Sequence, residues 1–199
     1  MQYQPFFCCA SGRVRGLEAL LRWHHPELGE VSPAAFIPMA EEAGLVVELG
    51  CWVIEHAVRQ LSRWQREIPA STRLILAINV SGQQLRGDDL KSRLIGAMGR
   101  LGLEPGSVCI ELTEYTLVNE SRRDIEVLRE LLGMGIGIAM DDFGTGYSSL
   151  AYLRELPLSH LKIDRAFVTG MDEAGRDGDE KGRIVDTIIT LAHNFGLHT

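Results

Sequence analysis

The 199-residue sequence has no run of lysine and arginine, no apolar stretch near the roughly 20 residues a bilayer-crossing helix needs, and no cysteines at metal-ligand spacing. Each absence excludes a class. With 20 Lys+Arg against 27 Asp+Glu the formal charge is −7, and a chain of that sign without a basic stripe repels a nucleic-acid backbone. A phosphate ligand must then be held by local groups or by metal ions. Glu48 and Glu55 interrupt the most apolar stretch, residues 45–58, and Met1-Gln2-Tyr3-Gln4-Pro5 lacks the features of a signal peptide. A cytoplasmic location is expected, with neither DNA nor membrane as a partner. Adjacent Cys8-Cys9 would close only a strained bridge, so these two, Cys51 and Cys109 read as reduced, mostly buried thiols.

What is present is an ordinary globular composition, 45% hydrophobic and 24% charged, with one domain as the starting expectation. Short β-rich runs cover residues 3–9, 14–23, 74–80, 108–113, 135–140 and 160–164. Between them lie stretches with helical period, such as Leu45, Leu49, Trp52, Val53, His56, Ala57, Leu61 and Trp64, and then Leu90, Leu94, Ile95, Met98 and Leu101. Ser32 before Pro33 predicts a helix start, and Gly44, Gly102, Gly135 and Gly196 predict helix stops. His24-His25 before Pro26, and the charged, glycine-rich residues 170–182, read as loops.

Leu74-Ile75-Leu76-Ala77-Ile78 and Ile136-Gly137-Ile138-Ala139-Met140 do not alternate with polar residues, as expected of strands buried on both faces of a parallel sheet. Repeated strand–helix units then indicate an α/β fold. Length favours a doubly wound sheet over a closed barrel, which usually needs about 250 residues.

The polar residues arbitrate. Asn79, Glu111, Asp141, Asp142, Lys162 and Asp164 fall at or near the ends of the later apolar runs, and Glu18 sits inside the second. Singly, each reads as an edge residue, a salt bridge or a turn. Together they recur where parallel strands bring their carboxyl ends to one rim. Two like charges 4 Å apart repel by about 4 kcal/mol at an effective dielectric near 20, so Glu18, Glu111, Asp141 and Asp142 need protons or cations among them. Carboxylate and amide oxygens suit Mg²⁺ or Mn²⁺ rather than Zn²⁺. Asp141 and Asp142 would bend to a shared centre just past a strand end. Lys162 could orient or deprotonate a water, or form a structural ion pair. The segment Asp142-Phe143-Gly144-Thr145-Gly146 lacks both G-x-G-x-x-G and a P-loop lysine, and reads as a loop that closes beside the site.

In order and spacing, Glu18-Ala19-Leu20 with Leu21-Arg22-Trp23, Asn79-Val80-Ser81, Glu111-Leu112-Thr113-Glu114, Asp141-Asp142-Phe143-Gly144-Thr145-Gly146 and Lys162-Ile163-Asp164 resemble the EAL domain family, phosphodiesterases that linearise cyclic di-GMP. The resemblance implies a TIM-like (β/α) barrel with an antiparallel first strand, and hydrolysis of cyclic di-GMP to linear pGpG with two Mg²⁺ or Mn²⁺ ions. It makes Glu18, Asn79, Glu111, Asp141 and Asp142 metal ligands, and Gln4 and Arg22 substrate contacts. Lys162 would position or activate the attacking water, Asp164 would neighbour it, and Glu114 would hold the loop that follows Asp142. Set against the family pattern, residues 1–199 would form an EAL domain lacking the C-terminal strands and N-terminal helix, an incomplete barrel of about six of eight strands. Weak turnover is then expected unless a partner or second copy, as in a homodimer, completes it. Fused sensory or GGDEF domains are implied for the parent protein. A non-catalytic cyclic di-GMP receptor or docking module of the same fold is the alternative.

Overall fold

A computed structural model describes residues 1–68, 73–87, 89–144, 150–171 and 176–199, the side chains of 176–179 excepted. The chain divides into two compact units, Met1–Ile110 with Met134–Ile136, and Glu111–Gly133 with Gly137–Thr199. No helix among the described residues is long and apolar enough to cross a membrane.

In the first unit, β1 (Gln2–Phe7) runs antiparallel to β2 (Val14–Leu20), and β2 pairs in parallel with β5 (Ile75–Asn79). Gln4 stands opposite Glu18, and Glu18 opposite Ala77. Because side chains alternate with period two, Gln2, Gln4, Glu18 and Asn79 share one sheet face. Leu76, Ala77 and Ile78 are buried, as the non-alternating run led us to expect. The β1–β2 turn is closed by the Cys8 N–H donating to the Arg13 carbonyl, 2.9 Å, and the Gly12 N–H to the Cys8 carbonyl, 2.8 Å. That position leaves Cys9 exposed and Cys8 half-buried, and Cys51 is half-buried as well. The expectation of mostly buried thiols holds only for Cys109, although all four are free.

His24 and His25 are not in a loop. They lie in β3 (Trp23–His25), which forms an antiparallel ladder with β4 (Gly29–Val31). The turn is organised by the His25 ring, whose Nδ1 accepts from the Glu27 and Leu28 N–H groups at 3.1 and 3.3 Å. Trp23 packs edge-on to Phe36, ring centroids 5.7 Å apart. Helix α1 (Pro33–Glu42) starts after Ser32, whose carbonyl rather than hydroxyl takes the first N–H groups. Helix α2 (Val46–Glu67) buries Val53, Ile54, Ala57, Val58 and Leu61 along its apolar stripe. A reciprocal capping box between Ser81 and Gln84 begins α3 (Gly82–Arg86). Helix α4 (Leu90–Leu101) ends on Gly102, whose φ of 66° suits glycine. Strand β6 (Val108–Thr113) passes from the first unit into the second between Ile110 and Glu111.

The second unit continues with α5 (Glu114–Val118), α6 (Arg122–Gly133), β7 (Gly137–Phe143), α7 (Leu150–Glu155), β8 (His160–Ile163), α8 (Arg165–Val168) and α9 (Arg176–Asn194). Leu117, Leu128, Leu131, Ile138, Met140, Leu161 and Ala192 are fully buried in it. Residues 170–182 are not a loop throughout, because α9 begins at Arg176. Its Val185, Ile188 and Ala192 bury one face, and that packing outweighs the low helix propensity of Gly178 and Gly182. Residues 172–175 lie outside the described set.

Strands β7 and β8 are parallel, Met140 opposite Leu161 and Phe143 opposite Ile163, with a register shift between. Asp141 and Asp142 together therefore oppose Lys162. This is a β-bulge, a device that re-aims side chains, and Asp142 has φ 55°, which aspartate tolerates better than most residues. The two aspartates thus lie within β7 rather than beyond its end.

Candidate functional site

Within the first unit the sheet face of β1, β2 and β5 carries Gln4, Glu18 and Asn79. The Asn79 Nδ2 donates to Glu18 Oε1 at 2.8 Å. Spending the amide nitrogen on the carboxylate leaves the Asn79 Oδ1 with no hydrogen-bond partner among the described residues. Arg22, two residues past the end of β2, donates through Nε to Gln2 Oε1 at 3.1 Å and through Nη1 to the Leu21 carbonyl at 2.9 Å, and its Nε lies 3.8 Å from Glu30 Oε1. Gln2 escaped the sequence analysis. Its partner is 20 positions away, and only the antiparallel β1–β2 register brings the two together.

In the second unit the Lys162 Nζ donates to Glu111 Oε2 at 2.7 Å and to Asp141 Oδ2 at 2.9 Å. Glu111 is only 5% exposed. Burial alone would lower the lysine's pKa, yet the Glu111 and Asp141 carboxylates outweigh it and hold the ammonium well above its ordinary value. Between Glu111 and Asp141 the crowding foreseen in the sequence is relieved by a side-chain cation. Asp141 Oδ1 also accepts the Asp142 N–H at 2.9 Å. Burial first, then the charges of Asp141 and Asp164, pushes the Asp142 carboxyl above the usual range, and Asp164 shares a side-chain hydrogen bond with it. Asp164 also caps α8, its Oδ1 accepting the Ala166 N–H at 2.7 Å.

Buried Glu114 accepts the Gly144 N–H through Oε2 at 3.1 Å. Gly144 has φ 99°, and a Cβ there would lie 2.7 Å from Phe167 Cε2. The remainder of the expected closing loop, Thr145 to Ser149, lies outside the described residues.

The donors within each unit suit hard divalent ions: in the first, Glu18 offers carboxylate oxygens and Asn79 an amide oxygen, and in the second, Glu111, Asp141 and Asp142 offer carboxylate oxygens, the Glu111–Asp141 pair already holding a positive charge in the form of Lys162.

Residues 1–199 match the family described as the EAL domain. The chain is 40% identical over 197 residues to the bifunctional diguanylate cyclase/cyclic di-GMP phosphodiesterase MucR of Pseudomonas aeruginosa, covering 99% of this chain and 28% of that relative. It therefore spans little more than a quarter of MucR. Among solved structures it is similar to the PaMucR phosphodiesterase in complex with c-di-GMP, with a TM-score of 0.87 at 39% identity over 98% of this chain and 76% of the other. The EAL domain of Mycobacterium smegmatis DcpA gives a TM-score of 0.79 at 36% identity, with 98% and 76% coverage. These likenesses show the α/β, TIM-like barrel class that the family resemblance implies, and not the doubly wound sheet that length favoured. Since the likeness runs the whole length of the chain and Glu18-Ala19-Leu20 closes β2, the chain belongs to the EAL domain family.

Proposed function

We propose that the chain hydrolyses one phosphodiester bond of cyclic di-GMP, giving linear pGpG, with two Mg²⁺ or Mn²⁺ ions held by Glu18, Asn79, Glu111, Asp141 and Asp142. The observation that carries this is that every position given a role by the EAL resemblance holds a residue able to perform it. Within each unit those side chains are already joined, Glu18 to Asn79 and Lys162 to Glu111 and Asp141.

When bound, the two ions would make a water acidic enough to attack at neutral pH and would neutralise charge on the phosphoryl group. Lys162, as an ammonium, gives hydrogen bonds and takes none. It therefore keeps Glu111 and Asp141 in register and orients the attacking water, rather than removing its proton. Asp164 stays within hydrogen-bond reach of Asp142 and restrains it. Glu114 anchors the start of the loop at Gly144. Arg22 and Gln4 contact the nucleotide, Arg22 supplying to a phosphate the positive charge that an acidic chain otherwise lacks. The domain acts in the cytoplasm and works in a larger protein beside sensory or nucleotide-cyclising modules, the latter by analogy with the name of MucR.

The test is incubation with cyclic di-GMP and Mn²⁺, with products separated by chromatography. Metal-dependent formation of pGpG, abolished by Glu18→Ala and by Glu111→Ala, is the expected result. Tight nucleotide binding with no pGpG would instead mark a receptor of the same fold, and neither binding nor hydrolysis would end the proposal.

A further inference from the structure

The Arg22 guanidinium is held in a way that leaves one edge to spare. Of its five N–H groups, the Nε–H goes to Gln2 Oε1 and one Nη1–H to the Leu21 carbonyl. The remaining three, one on Nη1 and two on Nη2, have no hydrogen-bond partner among the described residues. The side chain as a whole is 29% exposed. Gln2 lies opposite Leu20 in the β1–β2 ladder, on the face that carries Gln4 and Glu18. Its amide oxygen reaches Arg22, two residues further on. Glu30 belongs to a weaker class of contact: at 3.8 Å and 67% exposed it is a screened surface ion pair.

We propose that Gln2 is a positioning residue for Arg22. By taking the Nε–H, it fixes the guanidinium so that its Nη1/Nη2 edge faces a phosphate oxygen of the nucleotide. This rests on the proposed role of Arg22 in cyclic di-GMP binding, and it adds a residue on which neither the sequence motifs nor the metal chemistry bears. Fixing a long side chain before binding spares rotamer entropy that would otherwise be lost on binding. A planar fork then meets a phosphate with two parallel donors. Acting through Arg22 alone, Gln2 has its effect in affinity and KM, with kcat nearly unchanged.

The experiment measures cyclic di-GMP binding to the chain and initial rates with Mn²⁺ for wild type, Gln2→Leu, Gln2→Glu, Glu30→Gln, Arg22→Ala and the Gln2→Leu/Arg22→Ala double variant. Gln2→Leu keeps bulk but loses the acceptor. It should weaken binding and raise KM about fivefold with kcat within twofold, while Gln2→Glu recovers most of the loss and Glu30→Gln changes little. In the Arg22→Ala background Gln2→Leu should have no further effect, because there is no guanidinium left to orient. If Arg22→Ala weakens binding but Gln2→Leu does not, or if the two losses add, the positioning role is overturned while the functional proposal stands. If wild type binds no cyclic di-GMP, or Arg22→Ala binds as wild type does, the underlying role of Arg22 fails and this inference with it.

Discussion

The Lys162 ammonium and the Glu111 carboxylate lie 2.7 Å apart across two strands of one unit, with Glu111 almost wholly buried. Removing the cation leaves a desolvated carboxylate beside Asp141. Lys162→Met should therefore destabilise the chain in chelator by about 1–3 kcal/mol, less than for a fully buried pair because Lys162 is 32% exposed. A divalent ion on the same carboxylates should replace much of the loss, so the deficit in urea unfolding should shrink when Mn²⁺ replaces EDTA. Equal deficits in both conditions would contradict a shared cation position. Because the folded ammonium pKa is raised, its contribution is complete below the unfolded lysine value of about 10.4 and is lost only as pH rises through the folded one. The wild type–variant difference should stay flat from about pH 6 to 9.

Asp142 works in the opposite sense. Its folded pKa is raised by burial, Asp141 and Asp164, so the folded state holds the proton longer than the unfolded one. Stability falls as pH climbs through that window above about 3.9, and the ionised group is a cost at neutral pH. Asp142→Asn keeps the shape and tolerates φ 55°. It should stabilise the metal-free chain by less than about 1 kcal/mol, the group being mostly solvated, while blunting stabilisation by Mn²⁺. Thermal melts with and without metal check both halves. A variant less stable in chelator, or equally stabilised by the ion, would oppose this account.

Much of this was legible before any coordinates. The non-alternating runs around Ile78 and Ile138 announced strands buried on both faces, and the stripe from Val53 to Leu61 announced α2, because burial and period leave direct marks in composition. Asn79, Glu111, Asp141 and Lys162, which hydrogen bonds join to neighbours within their units, stood out by their recurrence near strand ends, whereas Gln4, Arg22 and Glu114 came only with the family resemblance. The bulge that sets both Asp141 and Asp142 opposite Lys162 could not be read, since a register shift depends on the partner strand. The β3–β4 ladder was equally hidden. Its turn is built by the His25 ring accepting backbone N–H groups, a contact that His-His-Pro does not advertise. Gln2 remained invisible for a related reason: an exposed glutamine in an end strand has no signature until its guanidinium neighbour is known.

The turn between β1 and β2 makes its own forecast about thiol chemistry. The Ser11 hydroxyl, backbone groups of Ser11 and Ala10 and nearby Arg15 all favour the Cys8 thiolate and bring its pKa below the ordinary value, against a small opposing effect of burial. A lower pKa means a larger thiolate fraction at neutral pH and faster alkylation. Under limiting iodoacetamide at pH 7, peptide mass mapping should find Cys8 modified ahead of more exposed Cys9, and Ser11→Ala should reduce that lead. Preferential labelling of Cys9 would show that exposure rather than ionisation governs this pair.

Gly144 couples two constraints that can be separated by mutation. Its φ of 99° is disfavoured for any side chain, and a Cβ would meet the Phe167 ring at 2.7 Å, while its N–H is held by buried Glu114. Gly144→Ala should cost about 2 kcal/mol, part conformational and part steric. Phe167→Ala removes only the ring, so in that background the alanine at 144 should cost about 1 kcal/mol, the conformational share alone. Denaturant unfolding of the four proteins in this cycle gives both shares. If the cost is unchanged by Phe167→Ala, the ring is not what makes glycine necessary at 144, and the backbone conformation carries the whole requirement.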